Sequence, residues 1–228
     1  NGTSYGGASG ITLLSLNLTP GVTIRNNLIR HISGMGSSPN TSDHNSIPAG
    51  IKLFGNATSG ISIYNNSVYL TPDASYGLFY NNEWFTALEI GAGVSGVILK
   101  NNILQNSVGE RTNANITTWG YSVYTKGTSS PFASINNNIY FTSNADNNFT
   151  GLKGTAVPPV NNMNLADWKS FTTQDEQSLN TDPLFSSFSN LTPQAGSPAI
   201  AGGLPLPVVV DYDFYGKDRG ASNTIGDI

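Results

Sequence analysis

A pair of adjacent asparagines recurs four times along this chain at nearly constant spacing. The pairs are Asn26-Asn27, Asn65-Asn66, Asn101-Asn102 and Asn137-Asn138. The intervals between their first members are 39, 36 and 36 residues, and each pair ends a short run of alternating apolar and polar residues. An interval of this length that repeats along a chain is typical of architectures in which each unit packs only on its neighbours.

Each repeat contains three short segments of β-strand character. The first segments are ITLLSLNL at 11–18, AGIKLFG at 49–55, TALEIG at 86–91 and YSVYTKG at 121–127. The runs VTIRNN, ISIYNN, VILKNN and ASINNN follow them, and the third segments are LIRHI, SVYL, ILQNS and IYFTS. Because no segment of helical length separates the three, the pattern predicts an all-β solenoid with three short strands per unit.

The alternation of apolar and polar residues predicts which side chains form the core. In ISIYNN, Ile61 and Ile63 are expected to point inward, and the corresponding inward residues are Val22 and Ile24, Val97 and Leu99, and Ala133 and Ile135. Stacked at the interstrand spacing of ~4.8 Å, equivalent residues form continuous apolar columns.

The asparagine pairs have two predicted roles at the corner of each unit. Asparagine tolerates the left-handed backbone conformation that a tight corner requires. An inward asparagine can hydrogen-bond the equivalent amide in the next unit, whereas a buried amide without a partner would cost ~1–3 kcal/mol. We therefore expect a row of asparagine side chains joined from unit to unit.

The repeats and the C-terminal segment together resemble a known family. Over residues 10–145 the pattern [VI]-x-[IL]-x-N-N-x-[ILV] is similar to that of right-handed parallel β-helix proteins of the pectate-lyase-like superfamily. The segments LADWKSFTTQDEQSLNTDPLF, NLTPQAGSPAIAGG and VVVDYDFYGKDRGASNTIGDI resemble the closing part of secreted bacterial β-helix proteins. The resemblance implies one domain, with β-helix rungs in 1–150 and the final rungs and a C-terminal cap in 151–228.

The residues of the C-terminal segment independently predict a cap. Asn164 can cap a short helix that carries Leu165, Trp168 and Phe171 on one face. The prolines that interrupt regular strands are Pro183, Pro193 and Pro198. The segment is thus expected to cover an otherwise open sheet edge. Since residues 1–10 show no matching cap, we expect the chain to be part of a longer solenoid or of a multi-domain surface protein.

Composition excludes several classes of function. Only 11% of the residues are charged, with 10 basic against 14 acidic side chains and no basic cluster, which argues against a nucleic-acid partner. No run approaches the ~18 apolar residues of a membrane helix, so membrane insertion is not expected. The absence of cysteine excludes disulfides and thiolate chemistry. The neutral polar composition favours an extracellular location, and the resemblance implies a secreted or cell-surface bacterial protein.

The irregular segments between repeats are the predicted location of a functional site. Segments 34–48, 71–85 and 108–120 all lead into the same strand of their unit, so they are expected to lie along one face. The outward residues of that strand are Lys52, Phe54, Glu89, Ser122 and Tyr124. The segments themselves add Asp43, His44, Tyr76, Tyr80, Glu83, Trp84, Glu110, Arg111 and Trp119.

Aromatic rings beside carboxylates and amides suit a sugar polymer, because a ring covers the apolar face of a sugar while polar groups contact its hydroxyls. The predicted substrate-binding residues are Trp84, Trp119, Tyr80, Tyr124 and Arg111. Proteins of the superfamily that this chain resembles bind their substrate in a groove along the corresponding face of the solenoid. We therefore expect the partner to be a polysaccharide.

Two chemistries stay open for this groove. β-Elimination from a uronic acid needs a base and a cation, for which Lys52, His44, Arg111 or Tyr124 are candidates. Hydrolysis needs two carboxylates ~5–9 Å apart, for which Glu83 and Glu89 are the best pair. The candidate catalytic residues are thus Lys52, Glu89, Glu83 and His44.

No metal site or cofactor is predicted, and calcium is left as an alternative. The run from Asp211 to Asp218 has oxygen ligands at spacings that a calcium loop could use, but a closing turn around Asp213, Gly216 and Arg219 is the simpler interpretation. His31 is expected to be a structural or surface residue. Three functions therefore remain: a polysaccharide lyase or hydrolase, a noncatalytic glycan-binding or adhesive module, and a structural stalk, with a lyase favoured over plain adhesion.

Overall fold

The computed structural model of the protein describes most of the repeats and of the C-terminal segment. The described residues are 8–16, 21–32, 47–56, 59–71, 83–108, 112–113, 116–142, 147–155, 160–206, 210–219 and 224–226. Residues 1–7 lie outside them, so the expected absence of an N-terminal cap stays a prediction.

The chain is dominated by β-structure in three mainly parallel sheets. The first sheet holds, side by side, β1 (Ser9–Leu16), β4 (Ala49–Asn56), β7 (Glu83–Ile90), β11 (Ile116–Thr125) and β13 (Asn148–Lys153). The second holds β2 (Val22–Arg25), β5 (Ile61–Tyr64), β8 (Val97–Lys100) and β12 (Phe132–Asn136). The third holds β3 (Leu28–Arg30), β6 (Ser67–Leu70) and β9 (Ile103–Asn106).

Four short strands extend this arrangement. Strands β10 (Thr112–Asn113) and β14 (Asn162–Met163) pair antiparallel with β11 and β13 of the first sheet. Strands β15 (Phe185–Ser187) and β16 (Asn190–Pro193) form a separate antiparallel hairpin. The described residues contain one helix, α1 (Leu165–Thr172).

Within each parallel sheet, neighbouring strands are offset by one repeat of the sequence. Arg25 pairs with Tyr64, an offset of 39 residues, and Ile63 pairs with Leu99, an offset of 36. Leu99 then pairs with Ile135, again an offset of 36. These are the intervals between the asparagine pairs, so the spacing of the sequence repeat is the register of the second sheet, and the third sheet has the same offsets. In the first sheet the offsets are 40, 37, 35 and 28 residues, because the segments between its strands differ in length.

The apolar columns form the core, with one departure from the alternation. Ile51, Leu53 and Ile63 are fully buried, as the sequence predicts. The expectation that Ala133 faces inward is wrong, because Ala133 is exposed and Phe132 takes its place opposite Val97. The register shifts between Phe132 and Ser134, a bulge that admits the larger apolar side chain to the core.

The second asparagine of each pair is hydrogen-bonded to the next unit. The Nδ2 groups of Asn27, Asn66 and Asn102 donate to the Oδ1 of Asn66, Asn102 and Asn138 at 2.8, 3.0 and 3.1 Å respectively. Oδ1 of Asn102 also accepts the backbone N–H of Asn66 at 3.0 Å, and Oδ1 of Asn138 accepts that of Asn102 at 2.9 Å. We call these four residues the inner asparagine row. The row ends at Ser178, whose Oγ accepts the backbone N–H of Asn138 at 2.8 Å.

The first asparagine of each pair holds the C-terminal segment. These four residues, Asn26, Asn65, Asn101 and Asn137, have φ between 49° and 56° and form the outer asparagine row. Their amides donate to backbone carbonyls: Asn137 to Gly202 at 3.1 Å, Asn101 to Leu204 at 2.8 Å, Asn65 to Thr224 at 2.9 Å, and Asn26 to Tyr212. Part of the C-terminal segment therefore lies along the corner of the stacked units.

Helix α1 packs against β13 of the first sheet. It begins after Asn164, whose Oδ1 accepts the backbone N–H of Asp167 at 3.0 Å. The fully buried ring of Trp168 lies over Gly151, where a Cβ would stand 2.2 Å from the ring. Trp168 Nε1 donates to Oδ2 of Asp175 at 3.1 Å, and Tyr140 OH donates to the same oxygen at 2.6 Å. The predicted helix with its N-cap and apolar face is confirmed.

We predict that Asn102→Ala lowers the free energy of unfolding by roughly 2–4 kcal/mol. The substitution removes the acceptor of the buried Asn66 backbone N–H and one of the three acceptors of the Asn66 side-chain amide. It also removes the amide that donates to the Ile63 and Lys100 carbonyls. Urea unfolding followed by tryptophan fluorescence measures the change. The exposed Asn161→Ala is the control, with an expected change of less than about 0.5 kcal/mol. Equal stability of the two variants would contradict the role of the inner asparagine row.

Candidate functional site

The register of the first sheet brings three of the predicted site residues side by side. Lys52 on β4 pairs with Glu89 on β7, and Glu89 pairs with Tyr124 on β11. Trp84 and Trp119 are likewise opposite each other on β7 and β11. The predicted site residues that the structure describes therefore lie on adjacent strands of one sheet.

The Glu89 carboxylate lies between two ammonium groups. Lys52 Nζ is 3.6 Å from Oε2, and Lys126 Nζ is 3.0 Å from Oε1. Both contacts are within ion-pair distance. Glu89 is 0% exposed and Lys52 3% exposed. We call Lys52, Glu89 and Lys126 the lysine–glutamate cluster.

Burial dominates the electrostatics of this cluster. Desolvation raises the pKa of Glu89 above its ordinary value, and the two lysines oppose that shift only in part. Burial, followed by the neighbouring Glu89 charge, raises the pKa of Tyr124, so its phenol is neutral. Two ammonium groups, those of Lys52 and Lys126, thus face the Glu89 carboxylate.

The rings of this face pack against each other. The Trp84 ring makes edge contacts with Tyr121 and Tyr124 at centroid distances of 6.0 and 5.6 Å, and Trp119 stacks on Phe149 at 5.9 Å. Trp84 is 1% exposed and Tyr124 is fully buried, whereas Trp119 is partly exposed. In this conformation Trp84 and Tyr124 therefore offer no open ring face to a sugar.

Polar atoms within the same face lack hydrogen-bond partners. Trp84 Nε1 and Tyr124 OH are buried without a hydrogen bond. A buried polar group in this state costs ~1–3 kcal/mol, and native structures keep few of them. Such groups are frequent where water or a ligand binds, and one of them belongs to Tyr124, which pairs with Glu89.

Lys126 connects this cluster to a cavity of about 430 Å³ at the ends of β7 and β11. The lining includes Gly91, Ser95, Lys126, Thr128, Ser129 and Ser130. Lys126 is the one charged residue among the described residues that line it. Ser130 Oγ is buried and has no hydrogen-bond partner. We call this space the Lys126 cavity; it offers one cation and several hydroxyl groups.

The sequence interpretation missed Lys126 and misplaced Ser122. Lys126 follows Tyr124 by two residues, so the alternation that placed Tyr124 outward could have identified it. Ser122 was expected to point outward, but its Oγ donates to the Leu104 carbonyl of the third sheet at 2.8 Å. Tyr121 and Tyr124 both pack in one cluster with Trp84, separate from the main apolar core. The alternation therefore breaks between them, which turns Ser122 inward.

The other predicted site residues lie wholly or partly outside the described residues. His44, Tyr80 and Arg111 lie outside the described residues, and of Glu83 only the backbone, at the start of β7, is described. Glu83 and Glu89 are six residues apart on one strand, so their Cα atoms are separated by roughly 20 Å. This separation does not favour the carboxylate pair that hydrolysis needs.

The acidic run near the C-terminus is engaged in a turn. Oδ1 of Asp213 accepts the backbone N–H groups of Tyr215 at 2.9 Å and Lys217 at 2.8 Å. Oδ1 of Asp211 is 3.6 Å from Arg25 Nη1. Within the described ranges, His, Asp and Glu side chains form no group of three or more that could hold a metal ion.

Comparison of the chain with protein-family models, with curated proteins and with solved structures found no match. In the part of the chain that the structure describes, no helix has the length and apolar character needed to cross a membrane.

We predict that the buried Glu89 carboxyl makes the protein less stable as pH rises above 4.5, the ordinary pKa of this group. Because the pKa is raised in the folded state, the folded protein retains a proton that the unfolded chain has lost, and stability falls until the pH passes the raised value. In Glu89→Gln this decline should be smaller but not absent, because burial also raises the pKa of Asp175, which still titrates. Urea unfolding at a series of pH values measures it.

The matched control for this prediction is Glu176→Gln, which alters an exposed carboxylate. The control should keep the pH dependence of the wild type. A decline of the same size in Glu89→Gln and in the wild type would show that Glu89 does not titrate in the predicted sense.

Proposed function

We propose that the protein is a secreted or cell-surface right-handed parallel β-helix that binds a polysaccharide bearing carboxylate groups. The β-helix is supported by the constant order in which each unit contributes strands to the three sheets, and by the one-repeat offset between neighbouring strands. The inner asparagine row provides further support, since it joins equivalent corners of successive units.

The observation that carries the proposed binding is the contact between the lysine–glutamate cluster and the Lys126 cavity. An ammonium group attracts an anionic ligand, and Lys126 belongs both to the cluster and to the cavity lining. Hydroxyl groups such as that of Ser130 can donate to and accept from sugar hydroxyls. The volume of about 430 Å³ falls within the range of ~300–1,000 Å³ that is usual for small-molecule sites.

Lys126 and Lys52 have different roles in this proposal. Lys52 is almost fully buried and neutralises Glu89, so that the carboxylate does not repel an acidic ligand. Lys126 is 11% exposed and pairs with the ligand carboxylate at the cavity. Its Nζ lies 4.5 Å from the centroid of the Phe54 ring, a cation–π contact that positions the ammonium group.

Binding is better supported than elimination chemistry. A general base must come within hydrogen-bond distance of the proton it removes. Glu89 and Lys52 are too deeply buried to contact a substrate in the cavity, which leaves Lys126 as the described residue of the cluster that can do so. The proposal therefore does not assume lyase activity, which is tested separately.

A noncatalytic structural role is the second candidate. It is favoured by the close packing of Trp84, Tyr121 and Tyr124, whose rings are buried as in a stability core. We further propose that the chain belongs to a larger surface protein. The partial exposure of Ile11 and Leu13 on β1 supports this, since the corresponding Ile51 and Leu53 on β4 are fully buried.

The decisive experiment is calorimetric titration of the chain with hexagalacturonate. We expect Lys126→Met to weaken binding about tenfold or more, because a charge-assisted hydrogen bond is worth ~1.5–3 kcal/mol. Lys126→Arg should stay within about threefold of the wild type, since the positive charge is retained. Lys169→Met, which alters a lysine on α1, is the matched control and should bind normally.

The same samples are followed at the absorbance of unsaturated uronate. Product that forms in the wild type and is lost in Lys126→Met would assign lyase activity to this site. Equal affinity of the wild type and Lys126→Met would contradict the Lys126 cavity as the binding site. If the wild type binds no hexagalacturonate, the result would contradict the proposed binding and favour the structural role.

A further inference from the structure

A second cavity, of about 410 Å³, lies in the C-terminal segment and shares no described lining residue with the Lys126 cavity. Its lining includes four charged residues, the ring of Tyr215 and the hydroxyl-bearing Thr192 of β16. The charged residues are Asp213, Lys217, Asp218 and Arg219. We call this space the Tyr215 cavity.

The turn that carries Tyr215 is held by its own hydrogen bonds. Oδ1 of Asp213 accepts the backbone N–H groups of Tyr215 and Lys217, and the Asp213 carbonyl accepts the N–H of Gly216 at 3.0 Å. Gly216 has a φ of 76°, a conformation that glycine adopts without strain. The turn therefore presents the Tyr215 ring, which is 67% exposed, in a defined orientation.

Arg219, another lining residue, links the cavity to the first repeat unit. Its Nη2 donates to the Gly226 carbonyl at 3.2 Å and to Asn26 Oδ1 at 3.4 Å, and its Nε donates to the Tyr212 carbonyl at 3.4 Å. The Tyr212 carbonyl also accepts the side-chain amide of Asn26. The cavity is thus built on the outer asparagine row and does not depend on an isolated loop.

The exposed rings near the cavity are not explained by packing. Tyr212 is 51% exposed, and Phe214 and Tyr215 are also exposed; Phe214 and Tyr215 contact each other edge to face at 5.2 Å. Keeping large apolar surface in water has no folding benefit, and clustered surface of this kind marks interaction sites. Of these three rings, that of Tyr215 lines the cavity.

The charges of the lining indicate the class of ligand. Among the described lining residues two carboxylates balance two cations, so these residues give no net preference for an anion or a cation. Carboxylates accept hydrogen bonds, whereas lysine and arginine donate them, and a sugar hydroxyl can do both. A tyrosine ring can cover the apolar face of a sugar while its hydroxyl stays in water.

We propose that the Tyr215 cavity is a binding site for a neutral saccharide unit, with Tyr215 as the stacking ring. The site is additional to the carboxylate-binding site at Lys126 and does not require it. It fits a sugar without an ionised substituent, whereas the Lys126 cavity offers an ammonium group to a carboxylate.

The test is calorimetric titration of the whole chain with four neutral hexasaccharides: maltohexaose, cellohexaose, xylohexaose and mannohexaose. We expect at least one of them to bind, and Tyr215→Ala to weaken that binding about tenfold or more. Tyr212→Ala is the matched control, because it removes a similarly exposed ring that is not part of the lining, and it should bind within about twofold of the wild type. Thermal unfolding of both variants should match the wild type.

Three outcomes would overturn the proposal. These are the absence of binding to all four neutral hexasaccharides, equal affinity of Tyr215→Ala and the wild type, and a higher affinity for hexagalacturonate that Tyr215→Ala abolishes. The two cavities are tested separately, because Lys126→Met should leave binding of the neutral hexasaccharide unchanged. A failure at Lys126 would therefore not count against the Tyr215 cavity, nor the reverse.

Discussion

The inner asparagine row is the constraint on which the rest of the structure depends. The Oδ1 atoms of Asn102 and Asn138 each accept two hydrogen bonds from the preceding unit, one from a backbone N–H and one from a side-chain amide. Sliding one unit by a residue would leave these buried groups without partners and would turn the apolar columns outward. The row therefore fixes the register, while the segments between units are free to differ in length and composition.

The register in turn creates the candidate site. Lys52, Glu89 and Tyr124 are distant in sequence and become neighbours only because their strands are offset by one repeat. A buried ion pair is weak evidence for stability, since desolvation offsets most of the attraction. The binding site proposed above would give Lys126 a role beyond folding, because it pairs with Glu89 and also lines the Lys126 cavity. The outer asparagine row has a parallel role, because it attaches the Tyr215 cavity to the same repeats.

Sequence analysis predicted the repeat, the strands and the N-cap at Asn164, because each depends on local patterns of residue type. It did not predict that Phe132 would displace Ala133 from the core, since the alternation does not weigh the gain of burying a larger ring. The burial of Lys52 and Trp84 was equally inaccessible, because alternation separates inward from outward residues but does not show what covers an outward face. The route of the C-terminal segment along the corner involves backbone carbonyls, which leave no pattern in the sequence.

Residue-resolved hydrogen exchange tests the central claim most directly. The backbone N–H groups of Asn66 and Asn102 lie in corners, where an ordinary turn would exchange rapidly, yet each donates to an asparagine side chain of the next unit. The account predicts that both exchange only with global unfolding, at the same rate as core amides such as that of Leu104. Exchange of these two amides at the rate of exposed turns would contradict it.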